Sequence, residues 1–581
     1  MATLEPNNKV KFINPYNFIS KTSAVDRISK ESDEVSGYIN CVLTVKDALL
    51  LPDRSAPIVG KNWSYDFYRV EGSPVIPGSE IRGCIRSVYE AVTPSCFSVI
   101  NTEILHQRIS RPDAEVIPGI LRKESDGNYY IYEAEKVNRN SAYDVERNWM
   151  NFKKHRMSVS YYVIISRNKT LCDKEQLKKL LFILDTHLEN VADKDFKKAI
   201  EETKKSIEQG KPTVVFYDYN KSTKKMKYLS VAQVSRRVFD QTVPQMLGEH
   251  NKCSGKTGYC PACSLFGTIG DNSPVNSKLR FSDASACENV KIDELKIIPE
   301  LSSPKITSLE FYSDRKDKSK IWTYDDEGVE LRGRKFYFHS KPKTVSELNK
   351  RNMATRPAEA GSTFEFKVFF DKISEKQLKQ LLWVLTIGDN DKNSSLMHKI
   401  GAGKPVGYGS VKITVDHIVL RKFDGKYQIT KESFDSYGVN DSLFKEIEAL
   451  AQFKMISNYD FVQGKTVSYP IADDGKNKSN SKAPHQWFLS NRPQNKSYRY
   501  TLPLLDPQQD SSSLELPAMM ASYNAASYKA SGTFANVSPE AQDKKTCPHC
   551  AKTNYKYRRD TKVENRNWGK GICFYCGEPL W

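Results

Sequence analysis

Residues 72–92 read GSPVIPGSEIRGCIRSVYEAV. A stiff apolar run meets a Pro-Gly-Ser turn, and a helical pattern follows with a basic residue every fourth position. Gly78 and Gly83 bracket the predicted helix start, Ser79 is the expected N-cap, and Arg82 and Arg86 fall on one helical face. Exposed amides, a helix dipole and two guanidinium groups would together form a phosphate receptor. The same residues also read as an ordinary strand–turn–helix joint with solvated arginines, and the stretch alone does not choose between them.

Outward from this joint the chain alternates. GYINCVLTVKDALLL (37–51) predicts a strand, and LPDRSAPIVGKNWSYDFYRVEG (51–72) predicts a long loop rich in turn residues. Residues 1–36 read as a polar, loosely ordered lead-in. YYIYEAEKV and SVSYYVIIS, within 125–170, are strand-like. DKEQLKKLLFILDTHLENV (173–191) is an amphipathic helix capped by Asp173, and a second helix runs over 193–210 to Gly210. FEFKVFFD (364–371) alternates as a strand, and SEKQLKQLLWVL (374–385) is another amphipathic helix. Its likeness to DKEQLKKLLFIL (173–184) hints at an internal duplication, but twelve residues of amphipathic helix can agree by chance. Ser, Ala, Pro, Asn and Gln dominate 505–545, which reads as a flexible linker.

The chain has 581 residues, enough for several domains, and a net charge of +18 from 88 basic and 70 acidic residues. That is a mixed surface with a basic excess. It favours a polyanionic partner, most simply nucleic acid, although a lysine-rich solvated surface has the same composition. Tyrosines number 30 and phenylalanines 26. Several stand beside cations, as in RKFYFHSKPK (334–343) and YKYRRDTK (555–562). Such segments suit stacked single-stranded bases and equally suit exposed strands. No run approaches the ~20 apolar residues that span a bilayer, and MATLEPNNKVKF lacks a signal core, so a cytoplasmic protein without a membrane partner is expected.

Twelve cysteines in a cytosolic chain do not suggest disulfides. CPHC (547–550) and CFYC (573–576) make two knuckles, and Cys547, Cys550, Cys573 and Cys576 are the expected ligands of a structural Zn²⁺ in a C-terminal ribbon. Four thiolates leave no open coordination position. EHNKCSGKTGYCPACSLFG (249–267) offers His250, Cys253, Cys260 and Cys263 as a second tetrahedral set, with a cysteine-only site plus water as the alternative. Cys41, Cys84, Cys96, Cys172 and Cys287 read as scattered buried thiols.

KIGAGKPVGYGSVKI (399–413) is a glycine-rich loop before a strand. It matches neither a nucleotide-hydrolase phosphate loop nor a dinucleotide fingerprint. Gly401, Gly403, Gly407 and Gly409 permit unusual backbone angles and close approach of another backbone, and Lys404 and Tyr408 sit at the centre. RNA binding and a tight turn both remain open. No Ser-His-Asp or Cys-His arrangement stands out. Asp66, in NWSYDFYRVEG, is the one acid singled out for catalysis.

Taken in order, the IPGS turn, CPACSLFG (260–267) and GAGKPVGYG (401–409) resemble the RAMP superfamily of CRISPR-associated proteins, and most of all the backbone subunits of type III effector complexes. VSYPIADDG and HQWFLSNRPQ, within 467–494, resemble a longer RAMP subfamily with an extra C-terminal region. The resemblance covers roughly residues 37–500. It implies an α+β protein with a ferredoxin-like (RRM-like) core. It further implies that Gly78, Ser79, Arg82 and Arg86, with Gly401, Gly403, Lys404, Gly407, Tyr408 and Gly409, hold a guide CRISPR RNA beside other effector subunits. An Asp in the loop before the turn supports Mg²⁺-dependent cleavage of target RNA in many members, and Asp66 with Arg69 takes that place here. The usual Asp-Asn-Pro reads Asp-Phe-Tyr in this chain, so an architectural subunit stays open. So does an endoribonuclease maturing precursor CRISPR RNA, with His398 as its acid or base. The implied domains are a lead-in (1–36), the first part of the core (37–122), an insertion (123–240), a zinc-binding segment (241–290), the rest of the core (291–425), a subfamily region (426–504), a linker (505–545) and a zinc ribbon (546–581).

Overall fold

The computed structural model describes residues 4–469 apart from 23, 28–34, 59–62, 109–115, 138–145, 154–155, 221–224, 233–235, 257, 270–273, 302–305, 307, 316–321 and 424. Beyond 469 it describes the strands at 472–473, 516–521, 541–546 and 553–557. The class is α+β. The chain divides into two compact units, Asn7–Ile471 with Ser481–Ala518, and Met1–Pro6 with Ala472–Asn480 and Met519–Trp581.

The main sheet of the larger unit is built from β1 (Val35–Val45), β2 (Leu279–Phe281), β3 (Ala284–Ala286), β4 (Thr363–Ile373), β5 (Ser410–Phe423) and β6 (Tyr427–Glu432). Helix α1 (Gly78–Val92) follows β1, and helix α2 (Glu375–Thr386) follows β4. In space β1 lies between β4 and β5, and β4 lies between β1 and the short strands β2 and β3, with every neighbour antiparallel. Two β–α–β passes are thus interleaved. Alternation along β1 decides the faces. Ile39, Cys41, Leu43 and Val45 are buried on one side, whereas Tyr38, Asn40, Val42 and Thr44 are only half-buried on the other. The buried side packs on Ile81, Ile85 and Val88 of α1 and on Leu378, Leu381 and Leu385 of α2.

Helix α2 starts on a complete capping box. Ser374 Oγ accepts the Gln377 N–H at 3.1 Å, and Gln377 Oε1 accepts the Ser374 N–H at 3.1 Å. Asp173 caps the helix Lys174–Asn190 as expected, and Asp193 caps Lys194–Glu208. These two helices belong to a second core. A six-stranded antiparallel sheet begins at Ile117–Lys123 and ends at Lys225–Ser230, and Leu121, Ile131, Leu184, Ile200 and Val215 are buried in that core.

Two local expectations are overturned. Residues 51–72 are not one loop, because Pro52–Pro57, Ser64–Phe67 and Arg69–Val70 are strands. Ser64–Phe67 pairs antiparallel with Pro52–Pro57 on one side and, on the other, with Met353–Thr355, which runs parallel to it and is far away in sequence. The lead-in carries the strand Tyr16–Ile19, antiparallel to Arg334–Tyr337, with Phe12, Ile13, Phe18 and Ile19 buried. Residues 334–337 are therefore half-buried and paired, and do not form an exposed strand. Phe338 and His339 are buried, and the Lys335 ammonium sits among Tyr16, Tyr312 and Tyr337 at 4.8, 5.5 and 5.3 Å from the ring centres.

In the smaller unit Ala472–Asp473 pairs in parallel with Met519–Met520, and Ala541–Thr546 pairs with Thr553–Tyr557. Two stretches inside or at the edge of the expected linker are thus strands. Cys547, Cys550, Cys573 and Cys576 lie outside the described residues. Among the described residues no helix is long and apolar enough to cross a membrane.

If the two cores are energetically distinct, Leu184→Ala will lower the stability of the 117–230 sheet by ~2–5 kcal/mol. Native-state hydrogen exchange should show the loss confined to that sheet and its helices. An equal loss in β1, β4 and β5 would show one cooperative body instead.

Candidate nucleic-acid interface and metal centre

Helix α1 touches both other motifs. It begins at Gly78, with Pro77 as N-cap residue, so Ser79 is inside the helix and is not the cap. The anion at this end is Asp283, whose Oδ1 accepts the Gly78 N–H at 2.8 Å. The dipole end expected to meet a phosphate is already met by a carboxylate. Arg82 and Arg86 do share a face, as predicted, but that face packs on protein. Arg82 donates to the Phe266 carbonyl, and Arg86 donates to the Gly267 carbonyl at 3.0 Å and to Glu90 Oε1 at 2.8 Å. Both guanidinium groups lie 5.9 Å from the Phe266 ring centre. Burial and the neighbouring Arg86 lower the Arg82 pKa. At Arg86 burial is the largest single influence and opposes the charge, but the hydrogen bond it donates to Glu90, the Glu90 charge and the nearby Cys263 and Cys96 together raise the pKa. Ser79, Gly83 and Ser87 are the residues this helix turns outward.

The opposite contact is with the glycine-rich loop. Glu80 Oε1 accepts the Gly401 N–H at 3.0 Å, and Lys404 Nζ lies 4.0 Å from the same carboxylate. Gly401, Gly403, Gly407 and Gly409 have φ of 78°, 69°, 100° and 85°. At Gly407 a Cβ would stand 2.1 Å from the Lys341 carbonyl oxygen, and at Gly409 1.9 Å from that of Ile400. These glycines are needed first for backbone passing over backbone. The loop amides are largely spent inside the protein: Ala402 donates to Leu50, Gly409 to Ala48, and Tyr408 to Gly403. Tyr408, expected to face RNA, is buried with Leu50, Ile298 and Val406. Lys399 is buried beneath the loop and donates to the carbonyls of Gly407 and Tyr408 at 2.9 Å each, and burial lowers its pKa to about 7. Lys404 is the loop cation that reaches solvent.

Asp66 lies on the strand Ser64–Phe67. Its Oδ1 accepts the Phe67 N–H at 2.8 Å, and its Oδ2 is 3.6 Å from Arg69 Nε. Its side chain is 43% exposed, open enough to meet a ligand. His398 is buried, and its Nε2 lies 3.0 Å from the Leu385 carbonyl. That position excludes it as a solvent-facing acid or base for precursor cleavage.

The metal set differs from the expected one by one ligand. Cys96, Cys253, Cys260 and Cys263 place their sulfurs within 4.8 Å of one another, all buried, and they are the one group of three or more metal-ligating side chains found among the described residues. The Cys96 sulfur is 3.6 Å from those of Cys260 and Cys263. A tetrahedron with metal–sulfur bonds of about 2.3 Å has edges of about 3.8 Å, so the spacing fits Zn²⁺. The Cys260 N–H donates to Cys253 Sγ, and the Cys263 N–H to Cys260 Sγ, both at 3.4 Å, as suits thiolates. His250 is not in the set, and its Nε2 lies 2.8 Å from the Thr22 carbonyl. Cys96 was missed because its place beside the CxxC knuckle depends on the turn after α1, and no spacing rule reaches from 96 to 253.

Cys96→Ser should therefore lose one metal ion per chain by elemental analysis, and His250→Ala should keep it. The reverse result would restore the histidine ligand.

Burial lowers the His398 pKa from 6.5 to about 4 and drives His339 well below its ordinary value. Between those values the unfolded chain binds more protons than the folded one, so stability rises with pH from about 4 to 6.5. The His398 share is at most roughly 3 kcal/mol. Denaturant titrations at a series of pH values should give a flatter profile for His398→Gln than for the parent, and identical slopes would contradict the burial argument.

One family model, the RAMP superfamily, matches residues 62–412. No curated protein matches the chain. The matched span holds α1, the four cysteines, β4, α2 and the glycine-rich loop, the parts that contact one another in the structure. The chain belongs to the RAMP superfamily of CRISPR-associated proteins.

Proposed function

We propose that this protein is a guide-RNA-binding subunit of a type III CRISPR effector complex, in which sequence is read by base pairing and the protein holds the RNA backbone. The observation that carries the reading is the meeting of the family's three motif segments on one helix: Glu80 takes the Gly401 amide, while Arg82 and Arg86 take the carbonyls of Phe266 and Gly267. The interleaved β–α–β order supports a ferredoxin-like, RRM-like core. Ser79 and Lys404, both solvent-facing at the start of α1, are the residues best disposed toward a phosphate backbone. Zn²⁺ on the four cysteines is structural, since it leaves no open position. The C-terminal ribbon on Cys547, Cys550, Cys573 and Cys576 would hold a second zinc and contact RNA or a neighbouring subunit.

Asp66 is the candidate for target-RNA cleavage. In that reaction the 2′-hydroxyl of the target attacks its own phosphorus in line, the 5′-oxygen leaves with a proton, and a cyclic phosphate remains. Mg²⁺, when bound by the carboxylate and the RNA phosphate, would supply charge stabilisation. Asp66 would hold the ion, and the neighbouring Arg69 would orient the carboxylate. One observation favours the non-catalytic reading: Asp66 Oδ1 accepts the Phe67 N–H, and Asp66 belongs to no group of three or more metal-ligating side chains among the described residues.

Sequencing of RNA copurified from cells carrying the native neighbouring genes should return repeat-derived guides of one register. Random RNA or none would overturn guide binding. With the guide retained, Asp66→Ala should abolish Mg²⁺-dependent cutting of complementary RNA, and unchanged cutting would remove Asp66 from the reaction.

A further inference from the structure

The face of the main sheet turned away from α1 and α2 carries an aromatic and cationic cluster that none of the family motifs includes. Tyr38 of β1 and Phe369 of β4 are directly opposite in register, with ring centres 5.9 Å apart. Both are the half-buried, outward members of strands whose alternate residues fill the core. Next to Phe369 on β2 is Arg280, whose guanidinium lies 4.7 Å from the ring centre. Lys367 and Arg421 lie 5.2 and 5.6 Å from the Tyr38 ring centre. On the far edge, Lys431 of β6 continues the same row through Val419, and Ile429, opposite Arg421, is 69% exposed.

We infer that this face is a stacking platform for single-stranded RNA, with Tyr38 and Phe369 receiving two bases and Arg280, Lys367, Arg421 and Lys431 receiving the phosphates. Two half-buried aromatic rings on the outward face of adjacent central strands match what unpaired bases require, a flat apolar surface beside cations. Charge selects the occupant. The four cations outnumber the carboxylates named near this face among the described residues, Glu365, Asp371 and, at the bulge, Asp416; Ser36 already donates to Asp371 at 2.8 Å, and Asp416 lies 2.6 Å from His417 Nδ1. A protein neighbour with an apolar face would leave those cations desolvated. The cations now lying against the rings do not block the site. An exposed cation–π contact is weaker than the stacking of a base on the same ring. A base displaces Arg280 from Phe369, and the freed guanidinium turns to the phosphate.

The platform rests on the sheet face alone and not on guide binding or on Asp66. Its test uses the full-length protein, freed of bound RNA, with a fluorescein-labelled oligouridylate followed by anisotropy. Tyr38→Ala and Phe369→Ala should each weaken binding by about 5- to 100-fold. Tyr38→Phe and Phe369→Tyr should bind as the parent does. Arg280→Gln with Arg421→Gln should reduce the salt dependence. Photocrosslinking with 4-thiouridine should map to β1 and β4. Parent-like affinity in both alanine variants, with unchanged circular dichroism and metal content, would overturn the platform. So would retained RNA affinity together with loss of a copurifying subunit, which would make this face a protein interface. Absence of repeat-derived guides in the copurified RNA would fail the guide reading and leave this result standing.

Discussion

The carboxylate of Glu90, buried near the end of α1, is shared between two arginines. Arg86 reaches one oxygen at 2.8 Å, and Arg334 reaches the other at 3.0 Å while also donating to the carbonyls of Ser95 and Cys96 at 2.9 and 2.8 Å. A charge this deep must be paired, and removing one partner of such a group costs ~3–5 kcal/mol. The pairing fastens three remote pieces together: the helix of the IPGS motif, the turn that carries Cys96, and the strand Arg334–Tyr337. It also sets charge beside the cysteines, since Arg86 Nη2 is 3.7 Å from Cys263 Sγ. Four thiolates around a divalent ion carry a net negative charge, and the guanidinium groups of Arg86 and Arg334 offset it in a place water does not reach. The four-cysteine group and the ion triad are one unit.

This accounts for the division of labour in the motifs. Their residues are mostly occupied with one another. Arg82 and Arg86 face the 260–267 segment, the loop glycines let the chain cross residues 48–50 and 341, and Lys399 is buried to satisfy two carbonyls of the loop. A strictly shaped backbone results, and only a few side chains from these segments remain for a ligand. Lys404 and Ser79 are two, and Asp66 on its own strand is a third. The sheet face with Tyr38 and Phe369 lies outside all three motifs, which is why motif reading passes over it.

Some of this was legible before any coordinates. Several local signals were read correctly: the cap at Asp173, the alternation in β4 and the helical periodicity of α1 and α2 all act within a few residues, whereas the cap expected at Ser79 falls on Pro77. The order of the three motif segments along the chain pointed to the family. Most of the other errors concern distant residues. Ser64–Phe67 lies between Pro52–Pro57 and the remote Met353–Thr355, Tyr16–Ile19 is ordered by Arg334–Tyr337, and Cys96 joins the cysteine group because α1 delivers it to the knuckle.

By itself the sequence determined which segments can be helix, strand or tight turn, and which residues can carry a metal or meet an anion. Residue type and short spacing set those capacities. Whether a capacity is used was decided only in the tertiary structure. Arg86, Tyr408 and His398 are chemically able to serve RNA, but burial and neighbours commit them to the interior, whereas Tyr38 and Phe369 gain a role from lying side by side across two strands. Burial and register are properties of contacts between distant residues, and no local pattern encodes them.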